Sequence, residues 1–309
     1  MSTQRVTGWM RGASANLGRW LRPLALWFDT GAATESGNLA IATKSVDWVR
    51  VLPFIAMHLA CVGVFFVGWQ PRAMADAGGL YLVRMFAITG FYHRYFSHRT
   101  FRTSRVGQFA FALLGASATQ RGPLWWAAHH RKHHRHADTA RDVHSLHEHG
   151  FWWSHMGWLT AAENFPTDLG EVRDLARYPE LRWLDRFDIM VPVLLATTLF
   201  LVGGWSFLFW GYFVSTVVLF HATCLINSMA HRIGSRRYDT ADDSRNSFAL
   251  AVVTLGEGWH NNHHKYPGAA RQGFFWWEID LTYYGLLLLE RLRIIRDLRP
   301  VPSRLLRTA

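Results

Sequence analysis

The run Phe187–Ser228, FDIMVPVLLATTLFLVGGWSFLFWGYFVSTVVLFHATCLINS, is apolar on both sides of Gly203-Gly204-Trp205. Its two arms, roughly 187–203 and 205–228, each approach the ~20 residues that a helix needs to cross a bilayer. The uncharged joint between them reads as a tight hairpin. Two more apolar segments precede the pair: roughly 46–69, VDWVRVLPFIAMHLACVGVFFVGW, and roughly 76–92, DAGGLYLVRMFAITGFY. Arg50 stands near the start of the first. Arg84 lies inside the second, where a charge is expected to face the protein interior or snorkel. A shorter stretch, 106–120, holds polar Ser117, Thr119 and Gln120 and is expected to lie at the interface or re-enter the membrane. The expected fold class is all-α, an integral membrane protein with four transmembrane helices.

Composition agrees with this. Half of the 309 residues are hydrophobic, 16 are Trp and 21 are Phe, a usage suited to membrane helices with interfacial aromatic belts. The formal charge of +11 sits mostly between the apolar runs. No zinc-finger, RNA-binding or basic-zipper pattern accompanies it, so the expected partner is membrane lipid and not nucleic acid. The link QPRAMADAG carries one Arg and the GGW joint none, whereas 93–188 and the chain after 230 are rich in Arg. By the positive-inside tendency, the N-terminus, the middle segment and the C-terminus are expected in the cytoplasm. Residues 1–45, with Arg5, Arg11, Arg19, Arg22 and several Trp and without a cleavable signal pattern, read as a cytoplasmic or interfacial segment. Residues 46–300 read as the membrane domain and 301–309, beyond Pro300, as a tail.

Four histidine groups follow the spans: His93 and His98 in HRYFSH, five histidines in HHRKHHRHAD (129–138), His231 in NSMAH, and His260, His263 and His264 in GEGWHNNHH. Residues three and four apart share a helix face, so His130, His133 and His134 can point one way, and His260, His263 and His264 repeat that spacing. His129 could instead pair with His133, four places on. Asn227 and His231 are also four apart, while the five-residue step from His93 to His98 suits a helix end or an unwound turn. Cys61 and Cys224 are too few for an iron–sulfur cluster or a disulfide framework, so imidazole must carry any metal. Eight or nine imidazoles exceed the needs of one ion and imply a di-metal centre in a histidine-rich helical cap on the cytoplasmic side. Zn, Cu, Fe and Ni all suit imidazole. HExxH is absent, as is the Glu-x-x-His pattern with paired Glu of soluble di-iron bundles.

HRYFSH, HHRKHH, NSMAH and GEGWHNNHH, in this order around paired membrane helices, resemble the integral-membrane fatty acid desaturases. The flanking words DTARDVHS and GFWWSHMGW agree, over roughly 45–300, and bacterial delta-9 acyl-CoA (stearoyl-CoA type) desaturases are the most similar branch. The resemblance implies a bacterial inner-membrane enzyme that uses O2 and two iron ions to place a cis double bond in a saturated acyl chain. It implies His93, His98, His130, His133, His134, His231, His260, His263 and His264 as ligands, with Asn227 approaching one iron through water. It also implies Gln120, Trp126 and Thr223 as residues that bend the substrate or hold its acyl end, and Tyr81 and Met85 near the closed end of its tunnel. His129 and His136 are then bystanders, and Asp138, Asp142 and His144 hydrogen-bonding partners that orient ligands.

Ala128 and His129 replace the Arg-Asp pair that helps hold coenzyme A in the animal enzymes, which leaves acyl-CoA, a phospholipid-bound chain and acyl carrier protein open, with acyl-CoA first. No electron-donor domain is fused, so a separate ferredoxin or cytochrome with its reductase is expected, docking on the Arg-rich face. A membrane di-iron acyl or alkane hydroxylase is the alternative enzyme. A membrane metal transporter is the non-enzyme alternative, although it would place ligands at mid-bilayer, where only His58 stands and is expected to be a packed core residue.

Overall fold

In the computed structural model, residues 25–33 and 45–307 are described. Among them the chain is mostly helical, with one two-stranded antiparallel sheet, Arg102–Thr103 against Ile295–Arg296. Helix α1, Trp48–Val67, opens at Asp47, whose carboxylate accepts from the Arg50 amide at 3.1 Å. Helix α2, Pro71–Phe86, runs directly into a π-helical segment, Ala87–Ser97, in which every residue is buried. Helix α3, Arg105–Ala116, is capped by Ser104 and packs on that segment, with Phe91 and Phe111 stacked at 3.9 Å.

Helix α4, Pro123–His136, carries the densest histidines, and its first turn has no partner of its own for its amides. The buried Asp185 supplies one, accepting from the amides of Leu124 and Trp125 at 2.9 Å each, so it fixes how far α4 reaches toward the other clusters. Asp185 sits on α6, Pro179–Arg186; the short α5, Phe151–His155, lies between. Helix α7, Met190–Ser206, breaks at Gly204, whose φ of 63° and ψ of −154° favour glycine. The chain returns through a π-helical turn, Phe207–Val214, into α8, Ser215–Met229, which completes the expected hairpin. Helices later in the chain include α9 (Phe248–Val253), α10 (His260–Lys265) and α11 (Leu281–Arg291).

Among the described residues two helical runs are apolar and long enough to cross a membrane, Trp48–Val67 and the 40-residue Met190–Met229 that Gly204 divides. Their outward side chains, such as Phe65 (83% exposed) and Leu201 (77%), would be costly against water. The expected span at 76–92 lies within α2 and its π continuation, which falls short of that apolarity. Arg84 does face inward: its guanidinium donates to Ser215 Oγ at 2.6 Å, Thr216 Oγ1 at 2.7 Å and the Ser117 carbonyl at 3.3 Å. The stretch 106–120 is largely α3, with one buried face.

Of the N-terminal segment, 1–24 and 34–44 lie outside the described residues. Its described part is pinned by Trp27 to the Val49 carbonyl (2.6 Å) and by Asp29 to Arg186 (2.7 Å). At the other end Val301 and Leu305 pack around Tyr238 and Phe274, so 301–307 joins the fold.

Candidate metal centre

His93 and His98 lie where the π-helix ends, and the His98 amide donates to the His93 carbonyl at 3.3 Å, an i→i+5 bond. That wider turn sets residues five apart on one face, which an α-helix would splay. With His130, His134 and His263 they form a cluster whose ligand nitrogens all lie within 4.8 Å of one another. Around it, Nε2 separations run His93–His263 3.0 Å, His93–His98 3.2 Å, His98–His130 2.8 Å, His130–His134 3.0 Å and His134–His263 2.9 Å. Two nitrogens bound at right angles to one ion, at about 2.1 Å each, sit about 3 Å apart. The five rings therefore stand as ligands would.

A second cluster joins His133, His231, His260 and His264 under the same criterion. His231 Nε2 and His260 Nε2 are 3.1 Å apart, and His264 Nε2 is buried without a hydrogen-bond partner. Such an orphaned acceptor is costly unless a metal takes it. Each triplet expected to point one way is in fact shared out. His130 and His134 enter the first cluster and His133 the second, while His263 enters the first and His260 and His264 the second. The common face of each helix lies between two centres.

Carboxylates hold the far side of four rings through Nδ1. His133 meets Asp142 at 2.9 Å, His231 meets Asp138 at 2.8 Å, His264 meets Asp242 at 2.7 Å, and His93 meets Glu257. Anchoring Nδ1–H to a carboxylate turns a bare Nε2 toward the centre. Burial, reinforced by neighbouring imidazoles, pushes His98, His130, His134, His260 and His263 well below the usual histidine range, so they are neutral donors. Burial alone would raise Asp142 and Asp242, but the imidazoles beside them hold both low and ionised. Four carboxylates would offset the charge of two divalent ions bound there.

Asp138 and Asp142 thus reach cluster histidines directly, whereas the His144 ring lies tilted against His133 at 4.5 Å and its amide donates to Asp142 at 3.3 Å. Glu257 and Asp242 were not singled out in the sequence. Glu257 stands inside GEGWHNNHH, three places before His260, and that adjacency was the available signal. Arg94 and Asp280 back Glu257, with Arg94 donating to Glu257 at 3.0 Å and to Asp280 at 3.0 Å. The two asparagines of HNNHH face away from the metals: Asn261 accepts from the amides of Arg237 and Tyr238, and Asn262 donates to Glu278. Gly258 precedes them because a Cβ there would lie 2.0 Å from the Ala251 amide nitrogen.

Asn227 reaches the same space as His231 and His260, in a narrow cavity of about 50 Å3 that also touches Met85, Ile88 and Trp126. Trp126 stacks on His130 at 5.0 Å, and Gln120 donates to Thr223 at 3.0 Å. Tyr81 does not line this cavity and donates instead to the Val253 carbonyl at 2.6 Å. His129 stands outside both clusters, its Nδ1 donating to the Trp125 carbonyl at 3.0 Å, and His136 ends α4. His58 is not simply packed; it is 3.1 Å from His221, which is 2.9 Å from His155.

Paired imidazole clusters on a helical scaffold, lining one narrow cavity, define a candidate metal centre of a metalloprotein. Residues 68–283 match the fatty acid desaturase family, and the chain belongs to it. It is 38% identical over 279 residues to the sn-2 palmitoyl-lipid 9-desaturase of Nostoc sp. (strain 36), covering 87% of this chain and 95% of that one. The sn-1 stearoyl-lipid 9-desaturase of Anabaena variabilis is 37% identical over 272 residues (85% and 97%). An acyl-CoA 5-desaturase of Anemone leveillei is 38% identical over 275 residues (84% of each). The protein is an oxidoreductase, a fatty acid desaturase with histidine clusters able to hold a metal centre.

Proposed function

We propose that the protein uses O2 to place a cis double bond at carbon 9 of a saturated acyl chain. Its two clusters would hold two irons, with His93, His98, His130, His134 and His263 on one, His133, His231, His260 and His264 on the other, and Asn227 reaching the second through water. The observation that carries this reading is the division of nine imidazoles into two facing sets beside one narrow apolar cavity. Iron and O2 would supply an oxidant strong enough to take hydrogen from an unactivated methylene.

The chain's own residues do the rest. Trp126 and Thr223 line both the narrow cavity and the larger groove outside it, so a chain threading from one to the other bends beside the metals. Gln120 braces Thr223 at that bend, and Met85 closes the far end, with Tyr81 bracing α2 behind it. The buried apolar walls exclude water that would quench the oxidant.

The full architecture in this reading has four spans in a bacterial inner membrane, with both termini and the clusters cytoplasmic. Electrons come from a separate ferredoxin or cytochrome with its reductase. The relatives' names include both lipid-linked and CoA-linked substrates, and lipid-linked ones stand foremost. Expression in a host lacking unsaturated fatty acids, with mass spectrometry of its lipids, tests the reading. A loss of two hydrogens with the bond at carbon 9 is expected. A gain of one oxygen would instead show a hydroxylase, and unchanged lipids would refute the activity.

A further inference from the structure

The larger groove, about 700 Å3, runs from Trp126, His130 and Asn227 out along α1, where it is lined by Phe54, Ala56 and Met57. Its opposite wall includes Val193 of α7. Ala56 is exposed and Val193 is 49% exposed, so among the described residues the groove opens sideways, on the apolar flank of the two spanning runs. α7 meets α1 at the far end, Val64–Val67, and the groove lies between the two helices nearer the histidines.

At the histidine end of α1 the groove wall turns polar. The guanidinium groups of Arg50 and Arg121 lie 4.9 Å and 5.5 Å from the ring centroid of Phe165. Each has a carboxylate nearby: Asp47 at 3.6 Å from Arg50 Nε and Asp188 at 2.9 Å from Arg121 Nε. Arg50 is 12% exposed, and its Nε is buried without a hydrogen-bond partner. Two arginines balanced by two carboxylates do not complement the several phosphates of coenzyme A. They suit a neutral acceptor such as an ester carbonyl, which needs a donor and no net charge.

We propose that this groove is a lateral gate, through which an acyl chain slides in from the bilayer while still esterified to a glycerolipid, its ester carbonyl accepting from Arg50 Nε. The proposal rests on the desaturase reading and adds the carrier and the route. The chain never leaves an apolar environment, whereas an acyl-CoA would have to bring a polyanion to a mouth that holds Asp188, with Asp47 behind Arg50.

The test uses the purified full-length, iron-loaded protein in vesicles with O2 and an electron donor, free of acyltransferases. One arm supplies deuterated distearoyl-phosphatidylglycerol in the vesicle and the other deuterated stearoyl-CoA. Lipid-bound chains should be desaturated at least tenfold faster. Ala56→Trp, which plugs the gate, should lower that rate at least tenfold, while Leu59→Trp, on an exposed position of α1 outside the groove, should not. Arg50→Gln should raise the apparent KM for the lipid at least threefold with kcat unchanged. Faster conversion of stearoyl-CoA, or an Ala56→Trp variant as active as wild type, overturns the gate and leaves the desaturase reading standing. Conversion of neither carrier overturns both.

Discussion

His130 and His133 stand one turn apart on α4, yet their imidazoles enter different clusters. The two substitutions should therefore remove different irons. His130→Ala and His133→Ala should each retain about half of the wild-type iron per chain, with distinct Mössbauer spectra. His129→Ala should keep all of it, since its ring lies against Trp125. Full iron loss from His129→Ala would show that α4 is read one residue out of register.

Asp142 and Asp242 touch only the outer nitrogen of their histidines. Asp142→Asn and Asp242→Asn should weaken iron binding by roughly 10- to 100-fold. Competition with a chelator measures this. Equal retention by both variants and wild type would mean that the carboxylates do not orient the rings.

Arg84 has hydroxyl and carbonyl partners and, among the described residues, no carboxylate one. Thr216→Val removes a hydrogen bond to a buried charge and should destabilise the protein by about 1.5–3 kcal/mol. A lowered thermal midpoint in detergent checks it, and an unchanged midpoint would show that the guanidinium finds another acceptor.

Met85 is 1% exposed and lines the narrow cavity. Met85→Ala should shift preference toward longer acyl chains in a competition between palmitoyl and stearoyl substrates. An unaltered product ratio would remove Met85 as the end stop.

Acid should destabilise the iron-free protein. Burial lowers His129 and His144 from 6.5 to about 4, so between those values the unfolded chain binds protons that the folded one refuses. Stability is then full above about pH 6.5 and falls as the pH drops toward 4. Thermal midpoints of apo-protein at pH 7.5 and pH 5 should differ in that sense; equal midpoints would contradict it.

Much of the centre was legible in the chain. The step of three and four residues in HHRKHH and HNNHH marks helix faces, and periodicity is local, so it survives any packing. The hairpin at Gly204 was legible too, because an apolar run too long for one bilayer crossing must turn where glycine permits. What spacing could not show is which ring goes to which metal. That depends on where α4 and α10 cross, and Asp185, from α6, sets the position of α4. The five-residue step of His93 and His98 needed a π-turn, which arises from packing the wholly buried segment Ala87–Ser97 and has no pattern of its own.

The sequence by itself determined that the protein is helical and apolar on its flanks, and that its histidines are grouped for metal. Each of these follows from residue type and local period. Only the tertiary structure decided the split into five and four imidazoles, the pairing of Glu257 with His93, and the groove that opens between α1 and α7. Glu257 is 164 positions from His93, by subtraction of the two residue numbers, and no local rule links them. The contact exists because a carboxylate behind a buried imidazole favours presenting its bare nitrogen to a cation, and the fold brings Glu257 there.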